Sequence, residues 1–397
     1  MDFATRTIHA AQPSEPETGA VIAPIFQTTT YQQEGPGEHK GFDYTRTSNP
    51  TRKRLEAVLA DLEGASHAAV FGSGLAAENA VLTAYLKPGR EIVVPGDVYG
   101  GTFRMLHRVF EPIGCRVTQV DFADLPAVER AITTDTTLVW LESPTNPRLL
   151  VYDIRAVSHL AHARGALVVV DNTFATPFFQ QPFALGADVV VHSVTKYLAG
   201  HSDVIQGAVI ARDAAVFEPV AFLQNALGGV PSPFDCWLTL RGLRTLELRM
   251  LRHAENAVAV ADALVRHPRV KRVYFPGLPQ HPGHEIARRQ MTGFGGMVSF
   301  ELDGTPEEAA ALVSSFKYFA LGESLGGVRA LACLPCRMTH ASIPPDTRAA
   351  LGLSDTLIRL STGCESSKDL VADVEHALDC LGTAQQAPQV RQVLEVS

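Results

Sequence analysis

Residues 187–203, ADVVVHSVTKYLAGHSD, decide how this chain is read. Ala187 to Val191 is a short apolar, largely β-branched run bounded by polar residues, which predicts a buried strand rather than a helix. Ser193, Thr195 and Lys196 follow it, with Gly200 beyond. That order sets one amine and two hydroxyls at the carboxyl edge of a sheet, where open α/β folds bind ligands.

A lysine just past a strand is ordinarily a solvated side chain. A second run upstream, Ala166 to Val170, ends in Asp171 and changes that reading. An amine and a carboxylate at the ends of two such strands suit pyridoxal phosphate: the lysine forms a Schiff base with its aldehyde, and the aspartate keeps its pyridine nitrogen protonated. Ala68 to Phe71 reads as another strand, and Gly72, Ser73 and Gly74 turn it into a helix from Leu75 to Leu86. Backbone N–H groups at a helix start bind phosphate, and glycine lets it approach. Gly74, Leu75, Ser193 and Thr195 therefore complete a predicted cofactor cradle.

Further strands are expected at Glu91–Val94 and Thr137–Leu141, so that strand and helix alternate over 61–250. The chain ahead of this, 1–60, reads as an arm, with Pro-rich and Gly-rich loops, an extended stretch at 23–31, and a helix carrying Leu55, Val58, Leu59 and Leu62 for which Thr51 is a candidate cap. A helical stretch, 238–260, is expected to bridge into a smaller domain, 251–397, with strands at 270–275, 296–302 and 357–360 and helices at 306–316 and 370–381.

At 397 residues the chain suits more than one domain, and 46% apolar with 19% charged residues excludes a disordered profile. The net charge of −8 offers no basic surface for nucleic acid. No run of about 18 apolar residues and no basic-then-apolar leader is present, so no membrane partner and a cytoplasmic location are expected. Cys333 and Cys336 form a CxxC, but no second pair completes a zinc site, and no metal is expected. His192 and His201 read as scaffold.

SVTKYLAGHSD around Lys196, VDNTF at Asp171, ESPTNP at Glu142 to Pro147 and VYGGT at Val98 to Thr102 together resemble the pyridoxal-phosphate enzymes of Cys/Met metabolism, the transsulfuration family. The likeness runs from about Thr7 to about Leu381. SGLAA at Ser73, LQNALGGVPSPFDC at Leu223, PGLPQHPGHE at Pro276 and SDTLIRLS at Ser354 are most similar to its cystathionine γ-lyase branch. The resemblance implies an α/β fold of the aminotransferase-like type I, with a mainly parallel seven-stranded sheet and a smaller α/β C-terminal domain.

It also implies roles. Tyr99 stacks on the cofactor ring and helps deprotonate the incoming amine. Asn146 lies beside cofactor and substrate. Arg359 grips the substrate α-carboxylate, with Arg104 and Ser324 nearby. Tyr44 and Arg46 reach a neighbouring subunit's cofactor phosphate, which implies a homotetramer built as a dimer of dimers with shared sites. The implied reaction is γ-elimination on cystathionine; γ-synthase action on an O-acylhomoserine, β-lyase action, and a non-catalytic cofactor-binding protein remain alternatives. The departure from the branch is Arg329–Ala330, where a glutamate and a serine are usual, together with Asp43 in place of glutamate. Arg329 either selects a distal carboxylate, or turns outward or pairs with Asp43.

Overall fold

The apolar runs of the sequence become strands buried on both faces, as a sheet covered by helices on either side requires. The computed structural model describes residues 1–341 and 345–381. Residues 342–344, the last three of the run MTHASIP at 338–344, and residues 382–397 lie outside them. The large sheet holds β1 (His67–Phe71), β2 (Glu91–Pro95), β3 (Arg116–Val120), β4 (Thr136–Glu142), β5 (Leu167–Asp171), β6 (Val189–Ser193) and β7 (Gly207–Ala211) in the order β1-β7-β6-β5-β4-β2-β3. Only β7 runs against its neighbours, so the sheet is seven-stranded and mainly parallel, as expected.

Strand alternation divides the side chains between two cores. Val70, Val93, Val139, Leu141, Val168, Val170 and Val190 pack under the helices Pro50–Leu62 and Ile154–His162. Phe71, Ile92, Val94, Trp140, Val169 and Val191 face the helices Gly74–Tyr85 and Ala214–Leu227. A second sheet of five strands, in the order β10-β11-β12-β9-β8, comprises β8 (Val270–Tyr274), β9 (Met297–Leu302), β10 (Ala320–Leu321), β11 (Leu331–Cys333) and β12 (Leu357–Ser361). Helix Pro306–Ser315 opens with a capping box in which Thr305 and Glu308 each satisfy the other's backbone N–H.

Two local readings are corrected. The single helix expected over 238–260 is two, Pro233–Leu243 and Leu246–Arg266. The break occurs because the Gly242 carbonyl is taken by Thr245 N, Thr245 Oγ1 and Arg249 Nη2 instead of the next turn of helix. The cap of helix Pro50–Leu62 is Asn49, whose Oδ1 accepts from Thr51 N and Arg52 N at 2.9 and 3.3 Å; the Thr51 hydroxyl accepts from Phe26 N instead. The expected boundary at 250/251 falls inside helix Leu246–Arg266, whose Leu246 and Met250 belong to the first core and whose Ala257, Val260, Ala261 and Leu264 belong to that of the small sheet. Among the described residues no helix is long and apolar enough to cross a membrane.

Candidate active site

Because β1, β2, β4, β5 and β6 all end at one edge of the sheet, the polar residues that close their apolar runs converge there. A cavity of about 750 Å³ lies over that edge. Ser73, Gly74, Leu75, Tyr99, Asn146, Asp171, Ser193, Thr195, Lys196, Ser324 and Arg359, eleven positions scattered over the chain, all line it.

Lys196 Nζ donates to Ser324 Oγ at 2.7 Å. Burial, and after it the positive charge of Arg359, push this amine down to about 8, against a smaller opposing pull from Glu323. An amine so placed keeps a substantial neutral, nucleophilic fraction near neutral pH. Ser324 holds its side chain there from the left-handed region, at φ 87°, a conformation that costs a non-glycine residue about 1–3 kcal/mol.

Arg359, on β12, is 2% exposed. Its Nη1 donates to Asn146 Oδ1 at 2.7 Å and its Nη2 to the Ser324 carbonyl at 3.0 Å, while its Nε is buried without a partner. The guanidinium is thus aimed by two neutral oxygens and keeps its charge for an anion.

Asp171 ends β5, where its Oδ1 accepts from Thr173 N at 2.9 Å and the Thr173 hydroxyl in turn accepts from Ser193 N at 2.8 Å. Burial raises its carboxyl above the usual range, opposed by the Thr173 bonds and by His192. His192 is itself scaffold, with Nε2 at 2.6 Å from Glu63 Oε1. Tyr99 is fixed by its backbone N–H, which Glu142 Oε2 accepts at 2.9 Å; its ring folds over Gly101, where an added methyl would meet Cε1 at 2.5 Å. Burial first, then Glu78, raise the phenol's pKa, with Arg104 opposing.

The cavity fits pyridoxal phosphate by its donor set. Lys196 and Asp171 supply the amine and the carboxylate. Gly74 begins a helix capped by Ser73, and its missing Cβ is what lets Ser193 close in, since a methyl would sit 3.1–3.2 Å from Ser193 Cβ and Oγ. Bound there, the cofactor supplies an aldehyde for an amino group and a ring that takes up the electrons of a departing proton.

Four expected residues lie elsewhere in the chain. Tyr44 and Arg46 sit on the exposed arm, with the guanidinium 5.3 Å from the Tyr44 ring centroid and Nε 3.4 Å from Asn225 Oδ1. Arg104 is exposed on the helix Gly100–Met105 and Arg329 is exposed beyond β10, and neither is among the residues that line the cavity. Arg329 forms no ion pair with Asp43; it turns outward.

Sequence reasoning missed the acids. Glu78, Glu142, Asp203 and Glu323 all line the cavity. Glu142, the first residue of the ESPTNP stretch, accepts from the backbone N–H of both Tyr99 and Asn146, and burial followed by Asp171 and Asp97 raises its carboxyl well above the usual range. A glutamate closing an apolar strand beside the one ended by Asp171 was the available signal. Asp203 and Glu323 are exposed where they line the cavity and make no hydrogen bond or ion pair among the described residues.

Residues 4–379 match the family model of the Cys/Met metabolism PLP-dependent enzyme. The chain is 50% identical over 376 residues to a cystathionine gamma-lyase of Dictyostelium discoideum, covering 94% of this chain and 97% of that one. It is 52% identical over 376 residues to a cystathionine gamma-synthase of Mycobacterium tuberculosis, covering 94% and 96%. A solved cystathionine gamma synthase from Xanthomonas oryzae pv. oryzae, in complex with cystathionine, superposes with a TM-score of 0.94 at 45% identity, covering 96% of this chain and 99% of that chain.

Proposed function

Because the chain belongs to the Cys/Met metabolism PLP-dependent enzymes, we propose that it cleaves cystathionine by γ-elimination, with water, to cysteine, 2-oxobutyrate and ammonia. The observation that carries this reading is the charge at the cavity mouth. Asp203 and Glu323 line it, whereas Arg329, the cation that would hold a distal carboxylate, is exposed and not among the lining residues. An acidic mouth favours a substrate with a distal ammonium, which cystathionine has and a succinylated homoserine lacks.

In this reading Arg359 holds the α-carboxylate and presents Cα to Lys196. Lys196 Nζ takes the Cα proton, carries a second from Cβ, and returns one to the sulfur as cysteine leaves. Ser324 Oγ fixes the amine for these transfers. Glu142 holds Tyr99 and Asn146 on either side of the site. Tyr44 and Arg46 act on the phosphate of a second copy, so two copies are needed per complete site, paired again into a tetramer. A fully active monomer on a sizing column would overturn that arrangement.

Product analysis tests the activity itself. Purified protein with pyridoxal 5'-phosphate is expected to give cysteine and 2-oxobutyrate from cystathionine, and Arg329→Glu to change the preference between cystathionine and O-succinylhomoserine by no more than about two-fold, because its charge is screened in solvent. Homocysteine and pyruvate would move the cut to the β side. The second reading, γ-replacement on an O-acylhomoserine, is favoured by the 52% identity to gamma-synthases. It takes over if cystathionine accumulates from the ester and cysteine and is not cleaved.

A further inference from the structure

The cavity holds one more carboxyl group than the reaction above uses. Glu78 lies one helical turn beyond Gly74, on the same face of the helix Gly74–Tyr85, and lines the cavity with Gly74 and Leu75. It is 5% exposed. Its Oε2 accepts from Thr102 Oγ1 at 2.6 Å, and among the described residues its Oε1 makes no hydrogen bond. Three titratable groups face it: Asp171 from β5, Glu142 from β4 and Tyr99 from the loop after β2. Burial, then the charge of Asp171, push Glu78 up to about 8, against the smaller opposing effect of the Thr102 hydrogen bond.

A buried acid set against two other acids is a cost to the fold unless a positive charge is meant to sit among them. We propose that Glu78 is a second carboxyl group of the cofactor's ring site, beside Asp171, and that it gives up its proton when a positively charged ring is seated there. The inference rests on the cofactor assignment and extends it: Asp171 balances the ring's charge directly, and Glu78 adds its negative charge only while that positive charge is present. Thr102 keeps the carboxyl turned to the site in both states.

The test counts protons. Cofactor-free protein is titrated with pyridoxal 5'-phosphate in a calorimeter, in two buffers of different ionisation enthalpy. A carboxyl held at about 8 is about 90% protonated at pH 7 and about 10% at pH 9. Wild-type protein is therefore expected to release more protons than Glu78→Gln, by up to about 0.9 per site at pH 7 and about 0.1 at pH 9. Glu78→Leu, which fills similar space without a polar group, is expected to match Glu78→Gln. Thr102→Val, which loses only the tether, is expected to keep most of the wild-type release. Equal proton counts in wild type and both Glu78 variants, with only a lowered Tm, would make Glu78 a structural tie to Thr102 and overturn the proposal. Failure of the wild type to bind the cofactor at all would overturn the cofactor assignment instead.

Discussion

Lys196→Ala protein is expected to lose the visible absorption band of lysine-bound cofactor and to turn over cystathionine at least about 10⁴-fold more slowly than wild type. Two roles are lost together. The amine anchors the cofactor covalently, and it is the group placed to move protons at Cα, Cβ and the leaving sulfur. Proton transfer by a positioned group is worth about 10²–10⁴-fold alone, and loss of the covalent hold adds to it. Among the described residues no other amine lines the cavity, so no neighbour takes over. The same residue sets a pH dependence in the wild type. Because burial and Arg359 hold its amine at about 8, the rate of cofactor capture by cofactor-free protein is expected to rise about tenfold per pH unit up to pH 8 and then level. An unperturbed lysine would keep rising to about pH 10.4. Stopped-flow absorbance measures this directly. Retained turnover in Lys196→Ala would remove the lysine from the chemistry.

Asp171→Asn is expected to cut turnover by about 10²–10³-fold while leaving the cofactor bound through Lys196, because an amide cannot offset the charge of a protonated ring nitrogen and so gives up about 3–4 kcal/mol of stabilisation. The effect on the cofactor-free fold has the opposite sign. Burial raises the folded-state pKa of Asp171 above its unfolded value, so stability falls as pH rises through the carboxylate range, and the buried carboxyl is a burden above that range. A neutral asparagine removes it, and the cofactor-free variant is expected to melt a few degrees higher. Calorimetry and a turnover assay on one preparation check both. A variant that melts lower and stays active would contradict the reading on both counts.

The parts of the site legible in the sequence were those that end a run. Asp171 and Lys196 stand where β-branched stretches stop, and a parallel sheet delivers such ends to one edge. Glu78 was not legible, because a glutamate in GLAAENAVLTAY resembles a solvated helix position, whereas the fold buries it and bonds it to Thr102 of another helix. The direction of Arg329 was hidden for a related reason: a loop residue's neighbours in sequence do not say which way its backbone turns. The break at Gly242 likewise depends on Arg249 folding back on a carbonyl, a contact no helical periodicity records.

The two sheets do not share the site equally. The edge of the large sheet carries the lysine and the aspartate, the small sheet contributes Arg359, and two short straps, 202–205 and 323–325, complete the lining of the cavity. Relatives named gamma-lyase and gamma-synthase are about equally similar to this chain, at 50% and 52% identity, so kinship measured over the whole chain does not separate the two activities.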